Sequence, residues 1–167
     1  VVFKTPFDNR TDFIKRLIGL PGDQIQFKDG NLFVNNKIIK KKKINNRKDI
    51  RCAGNEIDVT EYNEELTIKK SFNIVYKSKG GMKNSDLYKV PDDHFFFLGD
   101  NRDCSSDSRF LTNVGYVHKN NLVGKARIIF FSNDTMKGSV LKFWNWSNSL
   151  RLDRFFKIIE WTIILKI

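Results

Sequence analysis

Lys15 and the segment Gly99-Asp100-Asn101-Arg102-Asp103-Cys104-Ser105-Ser106-Asp107-Ser108-Arg109 hold the residue types best suited to chemistry in this chain of 167 residues. A lysine serves as a general base only when neutral, and a free lysine is neutral in roughly one molecule in 2,500 at pH 7. In a strand running from Phe13 to Ile18, Phe13, Lys15 and Leu17 share one face, and Ile14, Arg16 and Ile18 share the other. Lys15 therefore projects among apolar side chains. Desolvation and the adjacent charge of Arg16 are both expected to push its pKa down. A value of about 7 to 8 suits proton abstraction from a serine hydroxyl. Taken alone, a lysine in an alternating strand is an exposed surface residue. The second segment is what changes that reading.

Most residues from 99 to 109 are charged or hydroxyl-bearing, and they follow the apolar run Phe95-Phe96-Phe97-Leu98. A polar loop beside a buried strand needs internal hydrogen bonds. Asp100, Arg102, Asp103, Asp107 and Arg109 are expected to brace the loop through Asp–Arg pairs. Ser105 differs, because a hydroxyl aimed at Lys15 orients the amine, the third-group role in an activated nucleophile system.

The elements that must position these residues read as β. Val1 to Lys4 is a strand and Thr5 to Asp12 a loop. Leu20-Pro21-Gly22-Asp23 fits a turn with glycine where φ must be positive. Gln24 to Lys28 and Asn31 to Val34 alternate around the hairpin signal Asp29-Gly30. Phe95 to Leu98 is expected to be a strand buried on both faces. Leu122 to Phe131 reads as a further core strand. The predicted architecture is mainly β. An antiparallel barrel or sandwich catalytic domain, built from residues 1–34 and 90–155, is interrupted by a β-rich insert at 35–89. Residues 156–167 form an apolar tail, either packed or lying on a membrane surface. The run Lys40-Lys41-Lys42-Lys43 reads as a solvated loop, since no aromatic residue interleaves with it.

Thirty Lys+Arg against 19 Asp+Glu give a formal charge of +11. Nucleic acid, an anionic membrane surface and a solvated surface from AT-rich codon usage compete to explain it, and the last is favoured by the abundance of Lys, Asn and Ile. Cys52 and Cys104 have no metal-binding spacing; free buried thiols are the default, and a single disulfide between them stays open. His94 and His118 read as solitary residues of structure or surface. No metal or cofactor is expected. No run of 18 or more apolar residues occurs. The chain opens without Met, inside a strand, and reads as the downstream part of a longer protein.

The two segments together resemble the general-base segment and the Gly-Asp-Asn-Arg-Asp segment of bacterial type I signal peptidases, membrane-tethered serine proteases with a Ser-Lys dyad. Val1 to Asp23 is similar to the stretch that leads to that family's lysine. Residues 91–126 are similar to its Val-Pro…Gly-Asp-Asn-Arg-Asp…Asn-Leu-Val-Gly-x-Ala region. The resemblance implies that Lys15 is the general base and Ser105 the serine that positions it, with Asp107 and Arg109 as a bracing pair and Asp100, Arg102 and Arg16 supporting them. It implies that Val2, Asp12, Phe13 and Ile14 line the substrate site, where small P1 and P3 residues of signal peptides on exported pre-proteins are accepted. It further implies a place at the bacterial inner membrane with the catalytic domain on the outer side. No nucleic-acid partner is expected.

Three departures stand out. Residues 1 to 14 contain no serine, so the family's Ser-Met-x-Pro nucleophile segment is absent. Cys104 stands where the family usually has Asn, and His118 where it often has Pro. The chain by itself is therefore expected to be inactive. Three rival readings remain: a self-cleaving repressor-type Ser-Lys protein, a basic nucleic-acid-binding β-domain, and a pseudoenzyme retained as a membrane-surface or substrate-binding module.

Overall fold

The computed structural model describes residues 1–67, 70–130, 150 and 152–159. The described residues fall into two units, one within residues 1–124 and the other made of 125–130, 150 and 152–159. The described residues are mainly β with antiparallel ladders, and no α-helix occurs among them.

The first unit begins with β1 (Val2–Lys4), β2 (Asp12–Ile14) and β3 (Arg16–Gly19). The expected strand Phe13 to Ile18 is thus broken at Lys15. β4 (Gln24–Lys28) and β5 (Asn31–Val34) bury alternate residues, Ile25 and Phe27 on one and Leu32 and Val34 on the other. Their turn places Asp29 at φ 49° and Gly30 at φ 73°. Two successive positive φ values make the tight turn that follows strand twist, and the Asp-Gly pair tolerates them. The Leu20–Asp23 turn closes with Asp23 N–H donating to Leu20 O at 2.9 Å, with Gly22 at φ 85°.

β6 (Lys37–Ile38) leads to two long strands, β7 (Lys40–Cys52) and β8 (Asn55–Thr67), and to β9 (Lys70–Lys77). The lysine run is therefore a strand rather than the expected loop. Lys40 and Lys41 stand opposite Glu65 and Glu64, where opposite charges support cross-strand pairing. β10 (Tyr88–Lys89) pairs with β4.

β11 (His94–Leu98) is the central strand of the site. Phe96, Phe97 and Leu98 are all fully buried, as expected of a strand covered on both faces. Phe96 and Leu98 pack with Ile18, Ile25 and Phe27 in one cluster. Phe97 packs with Phe3, Val114 and Val117 in a second, against which Phe13 and Leu17 lie. β3 alternates between the same two clusters through Leu17 and Ile18, and it pairs with β11 through Phe97↔Leu17 and Leu98↔Arg16. β12 (Val117–His118) completes that sheet, and β13 (Leu122–Gly124) pairs with β1. The single core strand expected from Leu122 to Phe131 does not form. Val123 and Gly124 are exposed, and the ladder stops at Gly124.

The second unit contains β14 (Ile128–Ile129) paired with β15 (Lys157–Ile158), and Phe130 meets Phe156 edge to face. The apolar tail at 160–167 lies outside the described residues. No helix among the described residues is long and apolar enough to cross a membrane.

Candidate active site

Lys15 sits in the one-residue gap between β2 and β3. Its backbone is fixed by Val1, whose O accepts from Lys15 N–H at 3.1 Å and whose N donates to Lys15 O at 2.7 Å. Its ammonium donates to Ser105 Oγ at 2.7 Å and lies 5.1 Å from the Phe13 ring centroid. The pairing of β3 with β11 explains the meeting. Leu98↔Arg16 puts the end of β11 beside Lys15, and the chain leaves β11 directly into the 99–109 loop. Ser105 is buried and Lys15 is half-buried.

Burial is the largest cause lowering the Lys15 pKa. Asp107 opposes it, the Arg109 guanidinium lowers it further, and Asp100 opposes again. The cationic neighbour is therefore Arg109 rather than the expected Arg16. Arg16 points elsewhere: its Nε and Nη2 each donate to Asp100 at 2.8 Å, and its guanidinium stacks 3.6 Å from the centroid of Phe72.

The loop is braced from within. Arg109 donates to both Asp107 oxygens, at 2.8 and 2.9 Å, and Gly99 N–H donates to Asp107 Oδ2 at 3.0 Å. Asp107 is fully buried and Arg109 nearly so, where a charge is tolerated only when paired. Arg109 also donates to the Arg102 carbonyl.

Arg102 turns the other way. Its guanidinium, 0% exposed, donates to Glu64 at 2.5 and 2.6 Å and to Tyr76 Oη at 3.1 Å. Burial alone would lower the Arg102 pKa, but the Glu64 charge raises it beyond its ordinary value. Glu64 and Tyr76, on β8 and β9, are site supports that sequence reasoning missed. A glutamate in a polar alternating strand carries no signal that it will be 1% exposed.

Three further residues were missed. Gly99 has no Cβ, and one built there would collide with Ser105 Oγ and Cβ and sit 3.6 Å from Lys15 Nζ. Only glycine leaves that space, and its place at the head of the segment was the available signal. Ser108 Oγ accepts from Phe97 N–H at 2.9 Å and latches the loop to β11. Cys52 forms a disulfide with Cys104, so the alternative left open in the sequence holds in place of the default of free thiols. Cys52 closes the β7–β8 hairpin, and pairing across distant strands is invisible to residue spacing. His94 and His118 also differ from expectation, since they face each other across β11 and β12 with ring centroids 5.0 Å apart.

The residues expected to meet substrate fall on one small sheet of order β13-β1-β2. Val2 pairs with Ile14 and Phe3 with Phe13. Ile14 is 60% exposed, Phe13 is half-buried, and Val2 is half-buried on β1. Asp12 lies at the far end of β2 from Lys15, with its carboxylate 3.4 Å from Lys4 Nζ. Among the described residues β2 is an edge strand, and no group of three or more His, Cys, Asp or Glu side chains is arranged to hold a metal.

A sequence profile of the family described as "Signal peptidase, peptidase S26" matches residues 1–131, which include every site residue named above. The chain belongs to this signal peptidase family. Proteins named "Signal peptidase I" from Rickettsia akari and Rickettsia massiliae are each 36% identical to it over 174 residues, covering 94% of this chain and 62% of theirs. A similar protein of that name from Rickettsia typhi is 36% identical over 173 residues, with 94% and 63% coverage. The chain thus spans a little under two thirds of the length of these relatives. A crystal structure of a signal peptidase I from Enterococcus faecalis V583 aligns with a TM-score of 0.41 and 23% identity, over 75% of this chain and 91% of that one. Lys15 and Ser105, joined by their hydrogen bond, both lie within the matched residues.

Proposed function

We propose that this chain carries the general-base half of a Ser-Lys serine endopeptidase that removes signal peptides from exported pre-proteins. The observation that carries the reading is the 2.7 Å hydrogen bond from Lys15 Nζ to Ser105 Oγ, at a half-buried lysine whose pKa burial lowers. A lowered pKa enlarges the neutral fraction that can accept a proton.

In this reading Ser105 takes one N–H of the neutral amine and so aims the nitrogen lone pair. The lone pair accepts the proton of a nucleophilic serine while that serine's oxygen bonds to the scissile carbonyl carbon. The resulting ammonium gives the proton to the leaving amine as the C–N bond breaks, leaving an acyl-enzyme. Lys15 then takes a proton from water, whose oxygen attacks the ester carbon, and the ammonium returns that proton to the serine oxygen as the ester C–O bond breaks and the acid is released. Because residues 1–14 contain no serine, the nucleophile in this reading comes from sequence other than these residues.

The edge position of β2 supports an extended substrate paired along Asp12–Ile14, which is how strands add to an open sheet edge. Ile14 beside its cross-strand partner Val2 on one face of that edge, and Phe13 on the other, offer apolar contacts suited to small P1 and P3 side chains. The exposed Phe7, Ile14, Leu111 and Val123 of the first unit support contact with a membrane surface, in keeping with a place on the outer face of the bacterial inner membrane.

The test is cleavage of a pre-protein ending in Ala-x-Ala by the chain joined to its natural upstream sequence, beside its Lys15→Ala variant. Cleavage by the wild type and none by the variant is expected. An inert wild type, or equal cleavage without Lys15, overturns the reading.

A further inference from the structure

The residue directly before Ser105 is cross-linked to the tip of the β7–β8 hairpin. Cys52 and Cys104 lie 52 residues apart in sequence, and their disulfide brings their Cα atoms to 5.6 Å. Ala53 and Gly54, at φ 50° and 87°, make the two-residue turn beside Cys52, so the anchoring end is the tight end of a long paired hairpin.

Other contacts of the 99–109 loop hold its two flanks and, just after Ser105, the half-buried Ser106, whose Oγ accepts from Asn113 Nδ2 at 2.8 Å. Arg16 holds Asp100, Val75 bridges Asn101, and Glu64 holds Arg102. Asp103 accepts N–H groups from Lys77 and Met82 at 2.8 and 3.0 Å. On the other flank, Ser108 and the Asp107–Arg109 pair are tied to β11, to Gly99 and to each other. The disulfide is the covalent tie at position 104 itself. Ser105 packs into the space left by Gly99, so a small outward movement of position 104 would withdraw its hydroxyl from the 2.7 Å contact with Lys15.

We infer that Cys52 and Cys104 are positioning residues: their cross-link holds Ser105 against Lys15, and the activity of the site depends on the oxidation state of this pair. The inference rests on the Ser-Lys reading above. Forming the bond moves two electrons and two protons from the thiols to a disulfide-bearing oxidant by exchange. A dithiol reverses it, closing its own disulfide and leaving two cysteine thiols. Such a bond persists in an oxidising compartment and opens in a reducing one. In the opened state water reaches Lys15. Burial, the largest cause lowering its pKa, is then partly relieved, and the pKa moves up toward the ordinary 10.5.

The test uses the chain with its natural upstream sequence, assayed on an Ala-x-Ala pre-protein below the lowest thermal midpoint of the set. Oxidised wild type, wild type reduced with dithiothreitol, and Cys52→Ala are compared, with the thiol state read by alkylation and mass. Each gives a pH–rate profile, and Lys15 is titrated separately by NMR of labelled lysine side chains. Reduction is expected to raise both the pH of half-maximal rate and the Lys15 titration. The rate at pH 7 then falls about tenfold for each unit of that rise. Reoxidation restores both, and Cys52→Ala behaves as the reduced protein and ignores dithiothreitol. A lowered thermal midpoint with an unmoved profile and titration means the cross-link only stabilises, which overturns the inference. If Cys52→Ala does not fold, reversible reduction of the wild type decides. Equal cleavage by the oxidised wild type and its Lys15→Ala variant defeats the Ser-Lys reading itself. A Lys15-dependent enzyme indifferent to reduction defeats only the positioning role.

Discussion

Ser105 Oγ stands 2.7 Å from Lys15 Nζ although the two residues are 90 positions apart in the chain. The contact is made by β-pairing: β3 carries Lys15 to the end of β11, and β11 releases the loop that returns Ser105. In the Ser-Lys reading proposed above, a hydroxyl in that place directs the amine without reacting. In the complete enzyme, Ser105→Ala is expected to lower kcat by about a hundredfold, the low end of what a positioned proton-transfer group contributes. KM should change little. Ser105→Thr retains the hydroxyl and should recover part of the rate. Steady-state cleavage of an Ala-x-Ala pre-protein measures both.

Gly99 makes the contact possible by having no side chain. A methyl group there would occupy the place of Ser105 Oγ. Gly99→Ala should therefore act like Ser105→Ala on kcat while leaving the thermal midpoint within a few degrees, because the displaced segment is a loop and both core clusters are untouched. A variant retaining full rate would show that the loop shifts without loss and that the close approach is unnecessary.

What the sequence made legible was local. The alternation of Ile25, Phe27, Leu32 and Val34, the Asp-Gly turn, and the uninterrupted run Phe95 to Leu98 each announce their structure within a few residues, and each folds accordingly. Lys15 and Ser105 were legible because each lies in a distinctive segment. What stayed hidden depends on long-range pairing. Whether Lys40–Lys43 is loop or strand is decided by Glu64 and Glu65 across the ladder. The partner of Cys104 is decided by where a hairpin ends. The opposing charge for Arg102 comes from β8, in a segment whose composition looked merely solvated. The break at Lys15 was also hidden, since an alternating pattern does not show where a strand exchanges one neighbour for another.

The Arg102–Glu64 pair is buried on both sides, at 0% and 1% side-chain exposure. Removing one member of such a pair leaves the other charge buried without a partner, a cost of about 3–5 kcal/mol. Glu64→Ala is expected to destabilise the fold by that amount, read as a shift in the denaturant midpoint with an unchanged slope. Surface pairs give a contrast. Removing Lys119, whose contact with Asp93 at 3.0 Å is exposed on both sides, should leave the denaturant midpoint almost unmoved. Equal effects from the two substitutions would mean that the Arg102 site is open to water.

Lys15 itself should weaken the fold that half-buries it. Its folded pKa lies below the ordinary 10.5, so the folded state binds the proton less readily than the unfolded chain. Above pH 10.5 both states are neutral and the lysine carries no electrostatic cost. As the pH falls below 10.5 the unfolded chain gains its proton first, and stability declines until the folded lysine is protonated too. At still lower pH the cost is constant. Lys15→Met, which keeps the apolar stem and removes the amine, should therefore be more stable than the wild type at neutral pH. The advantage should shrink as the pH rises toward 10.5. Urea unfolding of both proteins across pH 6 to about 11 measures the difference. A gap that stays flat over that range would mean that Lys15 titrates in the folded protein as it does in the unfolded chain, and the physical basis for its role as a base would be lost.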